Sequence, residues 1–320
     1  FNRRAFLDFD PNEYTQTTIN LGRQLFFDPG LSSTGTMSCA TCHKPEKGFS
    51  DGLPKSKSLS GGHLDRNAPG LMNSVLAGSF FYDLRAEHLS QQFEHVITNQ
   101  EEFNTTLLTI FSYLEGGEYR AMFVSAFPNH AANPVNPYTF KTALSAYLHS
   151  LTGYNSPFDR FMRHESAKLD KDVIAGYNLF MGKAACATCH FPPTFSGLLP
   201  PLFDDSESEV LGVPKDEKYT AIDPDMGRYS LSRIKEAVDF YKHSFKTVSV
   251  RNVSKTAPYM HNGVFDDLKD VVEFYNNGGG LGHQLDVPYQ TLAGDSLDLS
   301  KKEQKQLIRF MEALEEPEMR

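Results

Sequence analysis

Two short segments of the sequence place cysteine and histidine at the spacing of a covalent haem site. Residues 39–43 read Cys-Ala-Thr-Cys-His, and residues 186–190 repeat the same five residues. At this spacing both thiols can bond to the vinyl groups of one haem while the histidine ring reaches its iron. The sequence therefore predicts two covalently bound haem c groups. They would be attached at Cys39, Cys42, Cys186 and Cys189 and ligated by His43 and His190.

Other chemistry that uses Cys-X-X-Cys explains these segments less well. Four thiolates could hold a structural zinc ion, but the histidine after each pair would then have no role. A thioredoxin-like redox motif would occur once, beside a βαβ pattern, and the sequence has no such pattern. The two motifs use all four cysteines of the chain, so no disulfide is predicted.

Length and composition limit the remaining choices. The chain has 320 residues, of which 40% are hydrophobic and 22% charged, enough for two domains that each bury a core. A net charge of −9 argues against a nucleic-acid partner, and no apolar run is long enough to span a membrane. Because bacteria attach haem c outside the cytoplasmic membrane, we expect a periplasmic protein. No apolar leader follows Phe1, so we expect a processed chain.

The elements that must position the two motifs are predicted to be mainly α-helical. Apolar periodicity predicts helices around residues 17–27 and 138–151, and helical runs between 88 and 126 that break at a Gly-Gly pair. Ser300 and Glu303 form a capping box that opens a final helix. The Pro-rich residues 191–247 hold at most one helix, near 230–243, and residues 51–70 predict a loop.

The segment ahead of each motif indicates an internal repeat. Gly22-Arg-Gln-Leu-Phe before the first motif reappears as Gly176-Tyr-Asn-Leu-Phe before the second. We therefore predict two cytochrome c-like haem domains related by internal duplication. Residues 152–168 are the predicted linker, which gives domains of 1–155 and 156–320.

Further segments resemble those of one family, the bacterial dihaem cytochrome c peroxidases and their MauG-type relatives. Besides both haem motifs they include residues 25–28 (Leu-Phe-Phe-Asp), 66–69 (Arg-Asn-Ala-Pro), 225–228 (Asp-Met-Gly-Arg), 247–253 and 256–261 (Thr-Ala-Pro-Tyr-Met-His), in order along the chain. The resemblance implies that hydrogen peroxide reacts at the N-terminal haem, ligated by His43. The C-terminal haem, ligated by His190, would store or relay oxidising equivalents.

Residues 80–103 resemble the family segment that roofs the peroxide pocket, with Gln92 and Glu102 at its polar positions. Cleavage of the O–O bond requires a proton to move from one peroxide oxygen to the other, and a carboxylate can carry it. Glu102 is the candidate for this transfer and Gln92 for orienting the peroxide; the alternative for Glu102 is a solvated surface carboxylate. Tyr82 stands where relatives usually have tryptophan, and it is either a charge relay or a packing residue.

The sixth ligand of the second haem has three candidates. In the peroxidases it is a methionine near the end of the helix that follows Ala-Pro-Tyr-X-His, and Tyr275 stands at that place, as tyrosine does in MauG. Leu268, Val271, Val272 and Tyr275 share one helical face, which turns the tyrosine inward. Met260 and Met226 are the alternatives. At the first haem, His63 is either a capping ligand, as a loop histidine is in some relatives, or a solvated side chain.

The resemblance also implies a calcium ion, held by the Asn67 side chain and the backbone carbonyls of Thr256 and Pro258, since hard oxygen donors suit calcium. The electron donor would be a small redox protein, a cytochrome c or a cupredoxin. A MauG-type enzyme would instead oxidise side chains of a protein substrate. A third alternative is a dihaem electron-transfer protein without peroxide chemistry, and a homodimer is one alternative for its assembly.

Overall fold

A computed structural model describes residues 13–166, 168–231 and 239–317. These residues are mainly α-helical, as predicted, and their two short strands pair antiparallel. Residues 232–238, which are half of the helix predicted near 230–243, lie outside the described residues. No helix of the described part is both long and apolar enough to cross a membrane.

The helices and strands lie in the following order. In the first half they are α1 (Gln16–Phe27), α2 (Cys39–Cys42), α3 (Leu89–Thr98), α4 (Leu107–Leu114), α5 (Tyr119–Ala126) and α6 (Pro137–Ser150). In the second half they are α7 (Pro157–Met162), α8 (Lys171–Met181), β1 (Ser208–Val210), β2 (Ser244–Lys246), α9 (Leu268–Asn276), α10 (Gly279–Gly282) and α11 (Lys301–Glu312).

The helix ahead of the first haem motif packs against a helix that ends the first half of the chain. Thr15 caps α1 by accepting a hydrogen bond from the Thr18 N–H at 3.2 Å. The backbones of α1 and α6 approach so closely at Gly22 that a Cβ there would lie 1.8 Å from the Ala143 carbonyl oxygen. This close crossing holds the start of the haem segment against the first core.

The second half repeats this arrangement with α8 and α11. A Cβ at Gly176 would lie 1.9 Å from the Gln306 carbonyl oxygen, so glycine again permits the helices to touch. The predicted capping box of α11 is confirmed, because Ser300 Oγ accepts from the Glu303 N–H and the Glu303 carboxylate accepts from the Ser300 N–H. Both haem motifs thus follow a helix that is clamped by a later one.

Among the described residues, the two larger of three clusters of buried apolar side chains form the cores. One draws on residues between 21 and 151 and the other on residues between 158 and 314. Helix α7 was not predicted and occupies part of the expected linker. Ser156 caps it, Pro157 stands at its first turn, and Phe158 packs into the second core.

The two halves contact each other directly beside the loops that carry the site. The Asn67 N–H donates to the His261 carbonyl at 2.7 Å, and the Lys246 N–H donates to the Tyr82 carbonyl at 2.6 Å. Arg66 forms an ion pair with Asp225 across the same boundary. These contacts join the walls of a single cavity between the halves.

Candidate functional site

A cavity of about 1280 Å³ runs between the two halves, and both haem motifs line it. His43 and His190 lie on its wall with the four cysteines, and Glu102 and Tyr275 line it as well. The motif residues and the predicted distal residues therefore share one internal space.

The first motif folds into α2, a single helical turn that places His43 at its end. His43 Nδ1 lies 2.8 Å from the Phe49 carbonyl oxygen. A carbonyl can only accept, so Nδ1 carries the proton and Nε2 keeps its lone pair for a metal. Burial lowers the pKa of His43, which keeps the ring neutral. The residue is thus prepared as an iron ligand.

The second motif has the same local design. His190 Nδ1 donates to the Phe195 carbonyl oxygen at 3.2 Å, and burial lowers the pKa of this histidine to about 4. Burial also raises the pKa of the Cys39 and Cys186 thiols to about 12. Among the described residues no three His, Cys, Asp or Glu side chains are grouped closely enough to hold a metal ion, which argues against a tetrathiolate centre. A neutral, backbone-oriented imidazole beside two cysteines in a large cavity fits a covalent haem at each motif.

Glu102 lies on the side of the cavity that carries the first motif. It follows α3 in a turn where its N–H donates to the Asn99 carbonyl and its Oε1 accepts from Asn99 Nδ2 at 2.7 Å. Burial raises the pKa of Glu102, while the hydrogen bond from Asn99 and the charge of Arg85 oppose that rise. The carboxyl also influences the pKa values of the Cys39 and Cys42 thiols, which places it near the first haem attachment.

Gln92 lies on α3 and lines the same cavity. Gln92 is partly buried, and its backbone N–H donates a helical hydrogen bond to the His88 carbonyl at 3.2 Å. The structure thus brings together both polar residues that were predicted for the peroxide pocket.

Tyr82 lies between the halves. Its hydroxyl donates to Asn67 Oδ1 at 3.4 Å, its carbonyl accepts from the Lys246 N–H, and burial raises its pKa. Oxidation of a tyrosine releases its proton, and an amide oxygen is a poor acceptor for it. The placement between the halves suits a charge relay, whereas the hydroxyl's neighbour suits a packing residue.

Tyr275 lies in α9 and faces the cavity together with Leu268, Val271 and Val272, in the predicted helical phase. Burial raises the pKa of Tyr275, and the Cys186 and Cys189 thiols raise it further, which places its hydroxyl near the second motif. Met260 also lines the cavity, whereas Met226 is not among the described residues that line it.

His63 is exposed at the cavity rim. It lies in a loop, where its backbone pairs with that of Lys57 in an isolated antiparallel β-bridge. The predicted calcium ligands Asn67, Thr256 and Pro258 line the same cavity. Asn67 is buried, and its Oδ1 has only the long contact from Tyr82 among the described residues, so this oxygen is available to a cation. Its donor chemistry fits calcium.

One charged group on the cavity wall had no predicted role, although its members lie within the recognised segments. It consists of Arg66, Asp83, Arg85 and Asp225, joined by hydrogen bonds of 2.6–3.0 Å. Asp-Leu-Arg at residues 83–85 was the sequence feature that could have indicated this charged group. Its members lie up to 159 positions apart, which no local pattern reveals.

Comparisons with known proteins agree with this geometry. Residues 16–167 match the family model described as di-haem cytochrome c peroxidase. The chain is 33% identical over 321 residues to cytochrome-c peroxidase IdrP2 of Denitromonas iodatirespirans, covering 92% of this chain and 81% of that one. It is 31% identical over 304 residues to the methylamine utilization protein MauG of Methylorubrum extorquens, covering 95% and 79%.

The fold also matches solved structures. The crystal structure of a MauG-like protein associated with microbial copper homeostasis superimposes with a TM-score of 0.80 at 24% identity, covering 99% of this chain and 93% of that one. With two haem motifs in one cavity and relatives aligned along nearly the whole chain, this protein belongs to the dihaem cytochrome c peroxidase and MauG family and is a peroxidase-type oxidoreductase with two haem c groups.

Proposed function

We propose that this protein reduces hydrogen peroxide in the periplasm at the haem held by His43, and that the haem held by His190 stores or relays the oxidising equivalents. The observation that carries this proposal is the shared cavity of His43, Gln92 and Glu102. A plain electron-transfer protein would have no use for a half-buried carboxylate and an amide beside the first haem.

Each residue of the peroxide pocket has a distinct task. A bound haem supplies two electrons for the cleavage of the O–O bond. Glu102 accepts a proton from the entering peroxide and returns it to the departing oxygen, which leaves as water. The hydrogen bond from Asn99 engages one carboxylate oxygen, which leaves the other to take up the proton. Gln92 orients the peroxide through its amide.

The ligand at Tyr275 favours a second candidate function of the same site. A methionine ligand raises the potential of a haem and suits an electron donor, whereas an anionic tyrosine oxygen favours oxidised states. With Tyr275 as the ligand, the second haem would hold oxidising equivalents and pass them to a protein substrate, as in a MauG-type enzyme. With Met260 it would accept electrons from a small cytochrome c or cupredoxin.

Three further features belong to this proposal. A calcium ion held by Asn67, Thr256 and Pro258 would fix the loops between the halves. The two haem domains, 1–155 and 156–320, would derive from internal duplication, supported by the matched glycine crossings at Gly22 and Gly176. A homodimer is one form in which the protein would act.

Replacement of Glu102 tests the peroxide chemistry. We expect Glu102→Gln to slow the reaction with peroxide by about 10² or more, because glutamine keeps the shape but cannot carry the proton. Stopped-flow absorbance of the dihaem protein measures this rate. Glu94→Gln is the matched control, since Glu94 is an exposed carboxylate on α3 paired with Lys141. Equal rates for Glu102→Gln and the control would exclude Glu102 from the mechanism.

A peroxide titration followed by optical and Mössbauer spectroscopy separates the two candidate functions. Oxidation spread over both irons and lasting until a protein substrate is added would support the MauG-type function. Rapid turnover with reduced cytochrome c would support the simple peroxidase. Failure to react with peroxide in any redox state would leave the electron-transfer alternative.

A further inference from the structure

Arg85 lies on the wall of the peroxide pocket and has no part in the function proposed above. It lines the cavity together with Glu102, Gln92 and His63. Burial raises the pKa of Glu102, and the guanidinium of Arg85 is near enough to oppose that rise. A fixed positive charge therefore stands close to the proposed proton carrier.

Three contacts hold this guanidinium in place. Arg85 Nη1 donates to both carboxylate oxygens of Asp83, at 3.0 and 2.8 Å, and Asp83 is only 6% exposed. The guanidinium carbon lies 3.5 Å from the centre of the Phe81 ring. Because one face rests on an aromatic ring and one nitrogen is anchored, the orientation of the fork is fixed.

The anchor continues into the second half of the protein. Asp83 Oδ2 also accepts from Arg66 Nη1 at 2.6 Å, and Arg66 donates to both oxygens of Asp225 at 2.7 and 3.0 Å. The Asp83 carboxylate is thus held by two cations, and one of them is itself held by the facing half. The position of Arg85 does not depend on its own short loop alone.

In the part of the chain that the structure describes, the remaining donors of Arg85 have no hydrogen-bond partner. Among the described residues, the Arg85 backbone N–H and Nη1 donate to a side chain, and that side chain is Asp83 in both cases. Within these residues, no such bond is found for Nε or Nη2. The N–H groups on Nε and Nη2 are therefore available to a ligand in the pocket. The side chain is 29% exposed, so a small anion entering from solvent can reach it.

We propose that Arg85 is a further catalytic residue, whose free N–H groups stabilise the negative charge on the departing peroxide oxygen. The inference rests on the proposed peroxide reaction at the His43 haem. In that step the O–O bond breaks and its electron pair goes to the outer oxygen. This oxygen takes the proton carried by Glu102 and leaves as water, while the haem site loses two electrons. A prepositioned cation lowers the barrier because it requires no reorganisation as the charge develops.

Fluoride binding to the ferric first haem tests the anion site without turnover. The measurement uses the dihaem protein in the redox state that reacts with peroxide. We expect Arg85→Gln to weaken fluoride binding about tenfold or more and to slow the peroxide reaction by about 10². Nitric oxide, a neutral ligand, should bind with unchanged affinity, which would show that the pocket is intact.

Two further variants complete the test. Arg85→Lys keeps the charge but loses the fork, so its fluoride affinity should lie between those of the wild type and Arg85→Gln. It also keeps the test valid if the neutral variant does not fold. Arg163→Gln is the matched control, because Arg163 is an exposed arginine paired with Glu165. It should match the wild type in both measurements.

The outcomes separate this inference from the proposed function. Wild-type fluoride affinity in Arg85→Gln, or in Arg85→Lys if only that variant folds, would overturn the role of Arg85 while peroxide turnover stands. An altered potential of the first haem with unchanged fluoride affinity would assign the guanidinium to a haem propionate and also overturn it. A wild-type protein that binds no fluoride and does not react with peroxide would overturn the proposed function itself.

Discussion

At the scale of single residues, the orientation of each motif histidine comes from the turn that follows its motif. His43 donates to the carbonyl six positions later and His190 to the carbonyl five positions later. The motif predicts the ligand, but only the turn fixes which ring nitrogen faces the cavity. The two turns differ in length, but in each the carbonyl that accepts the hydrogen bond belongs to a phenylalanine, Phe49 or Phe195. These acceptors can be recognised once the fold is known.

Tyr275 carries the prediction that most affects the redox chemistry. We expect Tyr275→Met to raise the reduction potential of the second haem, because a thioether stabilises the reduced iron better than an anionic oxygen does. Spectroelectrochemical titration measures both haem potentials. The first haem should keep its potential, since Tyr275 lies beside the second motif.

The alternative ligand provides the control for this experiment. Met260 lines the same cavity, so Met260→Leu should leave the spectrum of the second haem unchanged if tyrosine is the ligand. A near-infrared methionine-to-iron band in the oxidised wild type, lost in Met260→Leu, would contradict the assignment. The function would then be that of a peroxidase driven by a redox protein.

At the scale of elements, helices cross in close contact at Gly22 and at Gly176. We expect Gly176→Ala to destabilise the second half by about 1–3 kcal/mol, because the added methyl group would have to displace the Gln306 backbone. Alanine is a better helix former than glycine, so helix propensity alone would predict that the variant is more stable than the wild type. Denaturant unfolding followed by far-UV circular dichroism measures the change.

Gly62→Ala is a suitable control for the helix crossing. The nearest atom to a Cβ at Gly62 is the Ser58 hydroxyl at 3.5 Å, which is an ordinary contact. The free energy of unfolding of this variant should stay within about 0.5 kcal/mol of the wild type. If Gly176→Ala were as stable as this control, the α8–α11 crossing would be looser than the structure shows.

The sequence predicted the long helices better than the connections between them. Periodic apolar residues located α1 and α6 to within one residue at each end, because their buried faces follow the helical repeat, and the capping box located the start of α11. Helix α7 was missed because six residues are too few to establish a period. The two haem motifs were recognisable from local spacing, whereas the pairing of Arg66 with Asp225 depends on residues 159 positions apart.

At the scale of the whole molecule, charged contacts hold the halves together around the cavity. Burial would raise the pKa of Asp225, but its hydrogen bonds with Arg66 outweigh this and lower it. Nearby, burial would raise the pKa of Asp223, but hydrogen bonds from His261 and Asn262 lower it instead. Both carboxylates are therefore ionised at neutral pH. Asp225 joins the halves directly through Arg66, whereas Asp223 holds His261, whose carbonyl accepts from the Asn67 N–H of the first half.

The pair of Arg66 and Asp225 gives a prediction with a defined pH dependence. We expect Asp225→Asn to lower the free energy of unfolding at pH 7 by about 1–3 kcal/mol, because it removes a charged, two-bond contact. A carboxylate with a depressed folded pKa stabilises above its unfolded pKa of about 3.9 and loses that contribution as pH falls through the folded value. The difference between wild type and variant should therefore narrow below about pH 4.

Urea unfolding at pH 7 and pH 3 measures this difference, with the circular dichroism of the backbone and the absorbance of both haems as signals. Asp239→Asn is the matched control, since Asp239 forms an exposed pair with Lys242 three positions away, and its stability should equal that of the wild type at both pH values. Asp225 holds Arg66, Arg66 holds Asp83, and Asp83 anchors Arg85. Asp225→Asn should therefore also weaken fluoride binding at the first haem, but less than Arg85→Gln does. A stability difference that stays constant from pH 7 to pH 3 would contradict the role of the carboxylate charge in joining the halves.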